Sequence, residues 1–93
     1  MKLRLTDRAH DDLDGIYAYL SVRSPQGARQ VLQHIYLALN FIETQPHAAE
    51  RTEKAHVRVK IVSRYRYKIF YTASGDAIDI LHIRHGARDA WQP

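Results

Sequence analysis

Two consecutive runs of β-type residues near the end of the chain constrain its fold most strongly. Residues 65–71 (YRYKIFY) and 78–88 (IDILHIRHGAR) are dense in aromatic and β-branched side chains, which favour extended structure on a partly buried surface. Ser74, Gly75 and Asp76 lie between the two runs and have side chains typical of tight turns. The pattern therefore predicts an antiparallel β-hairpin with its turn at these three residues.

The first half of the chain predicts a strand followed by two helices. Residues 2–5 alternate polar and apolar side chains and indicate a short strand. Thr6 is placed to cap a first helix, whose apolar stripe spans residues 9–20 at helical spacing. Ser24 is the expected N-cap of a second helix, with Pro25 at its first position and its end near Pro46. The link between the helices is short, so they should form an antiparallel pair.

The segment between the helices and the hairpin completes the predicted order. Residues 47–56 are polar and without periodicity, so we expect a loop. Residues 57–62 alternate again and predict a strand. The order is then β-α-α-β-β-β. It indicates a small α+β fold in which the N-terminal strand and the αα-hairpin pack on a small antiparallel sheet. We expect residues 1–93 to form one domain, since this length suffices for a single core.

Composition narrows the class of protein. Hydrophobic residues make up 45% of the chain, which excludes general disorder. No apolar run is long enough to cross a bilayer, and residues 1–5 do not resemble a signal peptide. The chain contains no cysteine, so a disulfide framework and thiolate chemistry are excluded. We expect a cytoplasmic protein.

Positive charge is concentrated in the second half of the chain. Residues 1–50 carry five basic and six acidic side chains, whereas residues 51–93 carry nine basic and four acidic ones. Arg58, Lys60, Arg66 and Lys68 are spaced to stand on one side of two neighbouring strands, and we expect them to form one cationic band. Such a band favours an acidic partner, either a nucleic acid or an acidic protein segment.

No arrangement of residues indicates a metal centre or a nucleophile. His82 and His85 are three apart on a strand and should point to opposite faces, so they are not expected to share an ion. The carboxylates Asp11, Asp12 and Asp14 are interpreted as a solvated helix face. The late cations together with His85 are compatible with metal-free RNA cleavage, but no acid/base pair is visible. We therefore expect no metal or cofactor.

The last residues leave two interpretations open. A lone tryptophan, Trp91, lies close to the end of the sequence and either folds back onto the sheet or anchors a partner. Arg88 and Asp89 are expected to form a local or interfacial ion pair of small energetic value if exposed.

Several of these segments together resemble the RelE/ParE superfamily of type II toxin–antitoxin toxins, and more specifically its ParE-type branch. The resemblance runs almost end to end. Its most specific parts are the strand YKIFY at 67–71 and the ending ILHIRHGAR at 80–88. The other matching features are Ala9 with DLDGIYAYL at 12–20, Ser24-Pro25 with Ala28, and Ile42 with Pro46.

The resemblance implies a small toxin that is held inactive by a cognate ParD-like antitoxin in a hetero-oligomer, with operator DNA bound only through the antitoxin. Members of the ParE-type branch inhibit DNA gyrase by binding it. Members of the RelE-type branch instead cleave mRNA on the ribosome, which stays the alternative. A remnant that retains only antitoxin binding is a third hypothesis.

The resemblance also assigns positions. The sheet arginine of the nuclease branch corresponds to Lys68 and its late arginine to Arg84, while its catalytic histidine or tyrosine falls near His85 and Gly86-Ala87. Glycine and alanine cannot transfer protons, which weighs against nuclease activity, and we predict no catalytic residue. The residues expected to bind the antitoxin or the target are Arg58, Lys60, Arg66, Lys68, Arg84, His85, Arg88 and Trp91.

Overall fold

Two consecutive helices lie between a first strand and a run of four strands. The computed structural model of the chain describes residues 1–86. Its elements are β1 (Lys2–Leu5), α1 (Asp7–Arg23), α2 (Pro25–Thr44), β2 (Glu50–Arg51), β3 (Arg58–Ile61), β4 (Tyr67–Ser74) and β5 (Ala77–His85). The predicted α+β fold is confirmed. The one added element is β2, a two-residue strand inside the segment that was expected to be a loop.

Hydroxyl side chains fix where both helices begin. The Thr6 Oγ1 accepts a hydrogen bond from the Ala9 N–H at 3.2 Å and donates one to the Ile80 carbonyl at 2.7 Å. Thr6 therefore caps α1 and also ties its start to β5. Ser24 accepts from the Gly27 N–H at 3.0 Å, with proline as the first residue of α2. Both predicted N-caps are confirmed, and they satisfy N–H groups that a helix start would otherwise leave without partners.

The strands form one sheet in the order β1-β5-β4-β3-β2. The predicted β4–β5 hairpin is confirmed, and it reverses direction at Gly75, whose φ of 58° is a left-handed value that glycine adopts without strain. The sheet is mixed, not wholly antiparallel, because β1 pairs in parallel with the first part of β5, from Lys2 opposite Ala77 to Leu5 opposite Ile80.

The core lies between the helices and one face of the sheet. Ile35 and Ile42 of α2 are fully buried, as are Ile69 and Tyr71 of β4. Burial of each such side chain stabilises the fold by about 1.5–3 kcal/mol. The Tyr71 hydroxyl donates to the Pro46 carbonyl at 2.8 Å, so this ring brings a satisfied polar group into the core.

An irregularity in the hairpin changes which residues of β5 face the core. Phe70 pairs with His82, but the next residue, Tyr71, pairs with Ile80, so Leu81 has no partner in β4. An extra residue of this kind moves the following side chains to the other face. Ile80 and Ile83 consequently both join the core cluster, although strict alternation would separate them.

Candidate functional site

The register between β3 and β4 separates the cations that were expected to lie together. Lys60 pairs with the core residue Ile69, and Arg58 is two residues away on the same side. Lys68 pairs with Arg84 on β5. Residues directly opposite each other share a face of the sheet, so Arg58 and Lys60 lie on the helix-covered face and Lys68 and Arg84 on the other.

The prediction of one cationic band formed by Arg58, Lys60, Arg66 and Lys68 is therefore wrong. Each strand alternates as expected, but even-numbered residues of β3 pair with odd-numbered residues of β4. A shift of one residue in register moves every side chain of a strand to the opposite face relative to its neighbour. The cations consequently divide into two groups with different surroundings.

The two cations on the helix-covered face contact the protein itself. The Arg58 guanidinium donates to the Ala49 carbonyl at 2.9 Å and so anchors the segment that follows α2. The Lys60 ammonium lies 4.1 Å from the centre of the Phe41 ring, a cation–π contact with α2. Lys60 thus sits at the rim of the space between α2 and β3.

The outer side of α2 presents an apolar surface with cations at its margins. A groove of about 420 Å³ runs along this helix, and a cleft of about 210 Å³ between α2 and β3 continues it. Leu37 lines both and is 58% exposed, while Tyr36 is 52% exposed. We call these two depressions together the α2 groove. Residues that line it are Arg29, Leu32, Gln33, His34, Tyr36, Leu37, Ala38, Asn40, Phe41, Lys60, Ile61 and Ser63.

The face of the sheet opposite to the core carries a buried aromatic and cationic group. The Phe70 and His82 rings stack with their centroids 6.0 Å apart, and the Arg84 guanidinium lies 5.3 Å from the centre of the Phe70 ring. All three residues are buried. Arg84, which was predicted to bind a partner, is buried beside Phe70.

Asp12 has a role that the sequence did not indicate. One of its carboxylate oxygens lies 2.8 Å from the His82 Nδ1 and accepts the Ile83 backbone N–H at 2.9 Å. The Arg8 guanidinium lies 3.5 Å from the other ring nitrogen of His82. The expectation that Asp12 belongs to a solvated face is wrong, because α1 lies against the edge of β5. The available signal was its spacing, since Asp12 is three residues after Ala9 of the buried stripe.

The connection between β3 and β4 holds the remaining predicted cation. Arg64 and Arg66 are both exposed and both have positive φ, 79° and 61°. The Gly86 N–H donates to the Arg66 carbonyl, which brings the end of β5 against this connection. His85 is exposed and its ring makes an edge-to-face contact with Tyr67 at 5.3 Å.

Arg88 and Trp91 lie outside the described residues, so the two interpretations of Trp91 stay predictions.

Two tyrosines, the buried Tyr71 and the half-buried Tyr67, have raised pKa values. Burial raises the pKa of Tyr71, and burial together with the nearby Tyr19 raises the pKa of Tyr67. Both phenols therefore hold their protons at neutral pH, and the Tyr71 hydroxyl donates a hydrogen bond to the Pro46 carbonyl. Of the histidine–carboxylate pairs in the described part of the chain, the His82–Asp12 pair is enclosed, whereas the His10–Asp14 pair is exposed on α1 with 3.4 Å between Nδ1 and the carboxylate.

One group of exposed side chains has metal-binding atoms close together. His10, Asp11 and Asp14 each offer a ligand atom, and these atoms lie within 4.8 Å of one another on α1. All three side chains are solvated, and nothing else about them points to a bound ion.

Neither helix in the described part of the chain is both long and apolar enough to span a membrane.

Comparisons with known proteins agree with this architecture. A family model described as "ParE toxin of type II toxin-antitoxin system, parDE" matches residues 3–90. The chain is also similar to a solved structure described as "Chromosomal ParDE TA system from P. aeruginosa". The two are 27% identical with a TM-score of 0.74, and the match covers 91% of this chain and 95% of the other. A search of curated proteins found no match.

Proposed function

The chain belongs to the ParE toxin family of type II toxin–antitoxin systems, and on that premise we propose that it acts in the cytoplasm by binding proteins. In this proposal a ParD-like antitoxin is its cognate inhibitor and DNA gyrase is its target. The observation that carries the proposal is the α2 groove, an exposed apolar surface with cations at its margins. This surface supports recognition of a protein segment more directly than it supports covalent chemistry.

The antitoxin segment that fits the α2 groove is amphipathic and acidic. Leu37, Tyr36 and Ile61 offer exposed apolar area for anchoring side chains. Lys60 and Arg29 stand where acidic side chains of the segment would reach them. Apolar anchors provide most of the affinity in such an arrangement, and complementary charge provides association rate and register.

Antitoxin binding tests this part of the proposal. We expect Leu37→Asp to weaken binding of the purified cognate antitoxin at least about tenfold, since anchors near the centre of an interface contribute about 1–2 kcal/mol or more. Val22→Asp is the matched control, because Val22 is 85% exposed on α1 and away from the groove. Equal affinities for the two variants in isothermal titration calorimetry would place the antitoxin elsewhere.

The choice of gyrase over mRNA as the target is supported by family membership and by the chemistry of the site. Among residues 1–86, the enclosed histidine–carboxylate pair is used to tie α1 to β5, and Tyr67 and Tyr71 hold their protons because burial raises their pKa. Neither arrangement supplies the open acid and base that RNA cleavage requires.

Expression of the toxin without its antitoxin separates the two targets. The proposal predicts filamentation and a DNA-damage response while mRNA stays intact. Codon-positioned mRNA cleavage with immediate arrest of translation would instead assign the nuclease function. Normal growth, with the protein shown to be folded, would mean that only antitoxin binding is retained.

A further inference from the structure

The connection between β3 and β4 holds two arginines in a costly backbone conformation. Arg64 and Arg66 both lie in the left-handed region, where a side chain with a Cβ is disfavoured. We call residues 63–66 the basic turn. Strain of this kind persists only where surrounding contacts enforce it, and it is concentrated at functional sites.

Contacts on both sides enforce this conformation. The half-buried Tyr65 ring packs edge-on against His34 of α2, with centroids 5.0 Å apart. The Val62 N–H donates to the Tyr67 carbonyl at 2.8 Å and closes the base of the turn. The Gly86 N–H donates to the Arg66 carbonyl, and a Cβ at Gly86 would collide with that oxygen. The turn is therefore a fixed feature whose two arginine side chains are exposed.

Three cations at this end of the sheet lack an acidic partner among residues 1–86. Within the part of the chain that the structure describes, no carboxylate forms an ion pair with Arg64, Arg66 or Lys68. The Arg64 guanidinium lies 5.7 Å from the centre of the neighbouring Tyr65 ring, and the Lys68 side chain lies near Gly86. Three like charges on one rigid end of the fold favour an anionic partner.

We propose that the basic turn and Lys68 bind the phosphate backbone of duplex DNA without sequence preference, through Arg64, Arg66 and Lys68. Arginine is suited to phosphate because its planar fork donates two hydrogen bonds at once. Contacts to the backbone need no apolar anchor and carry no sequence information.

The surroundings favour duplex DNA over the two other classes of anionic partner. An acidic protein segment needs apolar anchors, and none of Arg64, Arg66 and Lys68 lines the α2 groove, where the exposed apolar side chains Tyr36, Leu37, Phe41 and Ile61 lie. Single-stranded nucleic acid is bound largely by stacking bases on open aromatic rings. Within residues 1–86, the aromatic rings beside these cations, Tyr65 and Tyr67, are half-buried and pack against His34 and His85.

The salt dependence of binding measures the number of phosphate contacts. For duplex DNA, the slope of log K against log salt concentration is about −0.9 for each phosphate neutralised. Three contacts predict a slope of about −2.7 for the wild-type protein, and loss of two contacts predicts about −0.9. The expected affinity is modest, in the range of non-specific binding, so low salt is needed to observe it.

The experiment uses the purified full-length toxin and a fluorescent duplex of mixed sequence, with no gyrase present. Fluorescence anisotropy across sodium chloride concentrations of about 50 to 200 mM gives the slope. We expect the Arg64→Gly/Arg66→Gly variant to lose at least about tenfold in affinity and to show the reduced slope. Glycine adopts the same backbone conformation without a Cβ, so this variant should melt at or above the wild-type temperature. Misfolding then cannot explain its loss of binding.

The charge control is Arg23→Ala/Arg51→Ala, which removes the same number of positive charges from exposed positions outside the turn. It should keep nearly the wild-type slope. The proposal is overturned by an absence of duplex binding, by an unchanged slope in the glycine variant, or by an equal loss in the control. Tighter binding of a glutamate-rich peptide or of single-stranded RNA than of the duplex would assign the turn to another partner class. Because gyrase is absent, none of these outcomes bears on whether gyrase is the target.

Discussion

Replacement of Asp12 by alanine should destabilise the fold far more than its position on a polar helix face indicates. Strand β1 ends at Leu5, opposite Ile80, so it provides no partner for the next part of the β5 edge. The Asp12 carboxylate takes that place by accepting the Ile83 N–H and contacting the His82 ring. The variant would leave a backbone N–H of a buried residue without an acceptor.

The magnitude follows from these two contacts. A buried donor left without a partner costs about 1–3 kcal/mol, and a hydrogen bond to a charged group contributes about 1.5–3 kcal/mol. The two effects share one carboxylate and overlap, so we expect a loss of about 3 kcal/mol in the free energy of unfolding. For a domain of this size each kcal/mol shifts the melting temperature by about 4–8 °C, which gives a decrease of roughly 12–24 °C.

Thermal and urea unfolding followed by circular dichroism measure the effect. Asp11→Ala is the matched control, since Asp11 is exposed on the same helix and should change stability by less than about 0.5 kcal/mol. Both substitutions gain similar helix propensity, so their difference isolates the contacts of Asp12. Asp12→Asn keeps an acceptor for the Ile83 N–H and should lie between the two. A difference below about 0.5 kcal/mol between the alanine variants would refute the reasoning.

Two further predictions concern glycine and tyrosine. A Cβ at Gly86 would meet the Arg66 carbonyl oxygen, so Gly86→Ala should lower the free energy of unfolding by about 1–3 kcal/mol. A Cβ at Gly15 meets nothing within 4 Å, so Gly15→Ala should raise it by about 0.5–1 kcal/mol. Calorimetry measures both. A melting temperature for Gly86→Ala above that of Gly15→Ala would contradict the close approach of Gly86 to Arg66. Burial raises the pKa of Tyr67 and Tyr71 in the folded state. Their contribution to the free energy of unfolding is therefore complete below about pH 10, the pH at which tyrosines of the unfolded chain ionise, and it is lost as the pH rises further. The urea midpoint should fall less steeply with alkaline pH in Tyr71→Phe than in the wild-type protein. An equally steep fall would mean that other groups cause it.

Features fixed by short segments of sequence were predictable. Thr6 and Ser24-Pro25 mark the helix starts because a capping hydroxyl acts on N–H groups two or three residues away. The β4–β5 hairpin follows from two strand patterns on either side of Gly75. Each depends on residues close together in the chain, and each was confirmed.

Features that depend on distant pairing were not predictable. The alternation of β3 and β4 defines two faces for each strand, but it does not say which faces coincide, and the actual register divided the expected cationic band. The alternation of β5 also gave no sign of the irregularity at Leu81, which places Ile80 and Ile83 on the same side. The parallel pairing of β1 with β5 joins the two ends of the described fold, and no local pattern encodes it.

The candidate site was predictable in charge but not in shape. The basic second half of the chain correctly indicated cationic surfaces, yet Arg58 is engaged with Ala49 and Arg84 is buried beside Phe70. The α2 groove arises from Tyr36 and Leu37, which lie beside the core stripe of α2. A second apolar row on a helix is a usable signal for a partner, because it is not needed for the core.

The supercoiling activity of purified gyrase tests most directly whether this toxin acts by binding gyrase, as we propose. Relaxed plasmid, gyrase and ATP are incubated with increasing toxin, with and without an excess of the cognate antitoxin. We expect the toxin to reduce supercoiling in proportion to its concentration and the antitoxin to restore it. Unchanged supercoiling at saturating toxin, together with cleavage of ribosome-bound mRNA by the same preparation, would contradict it.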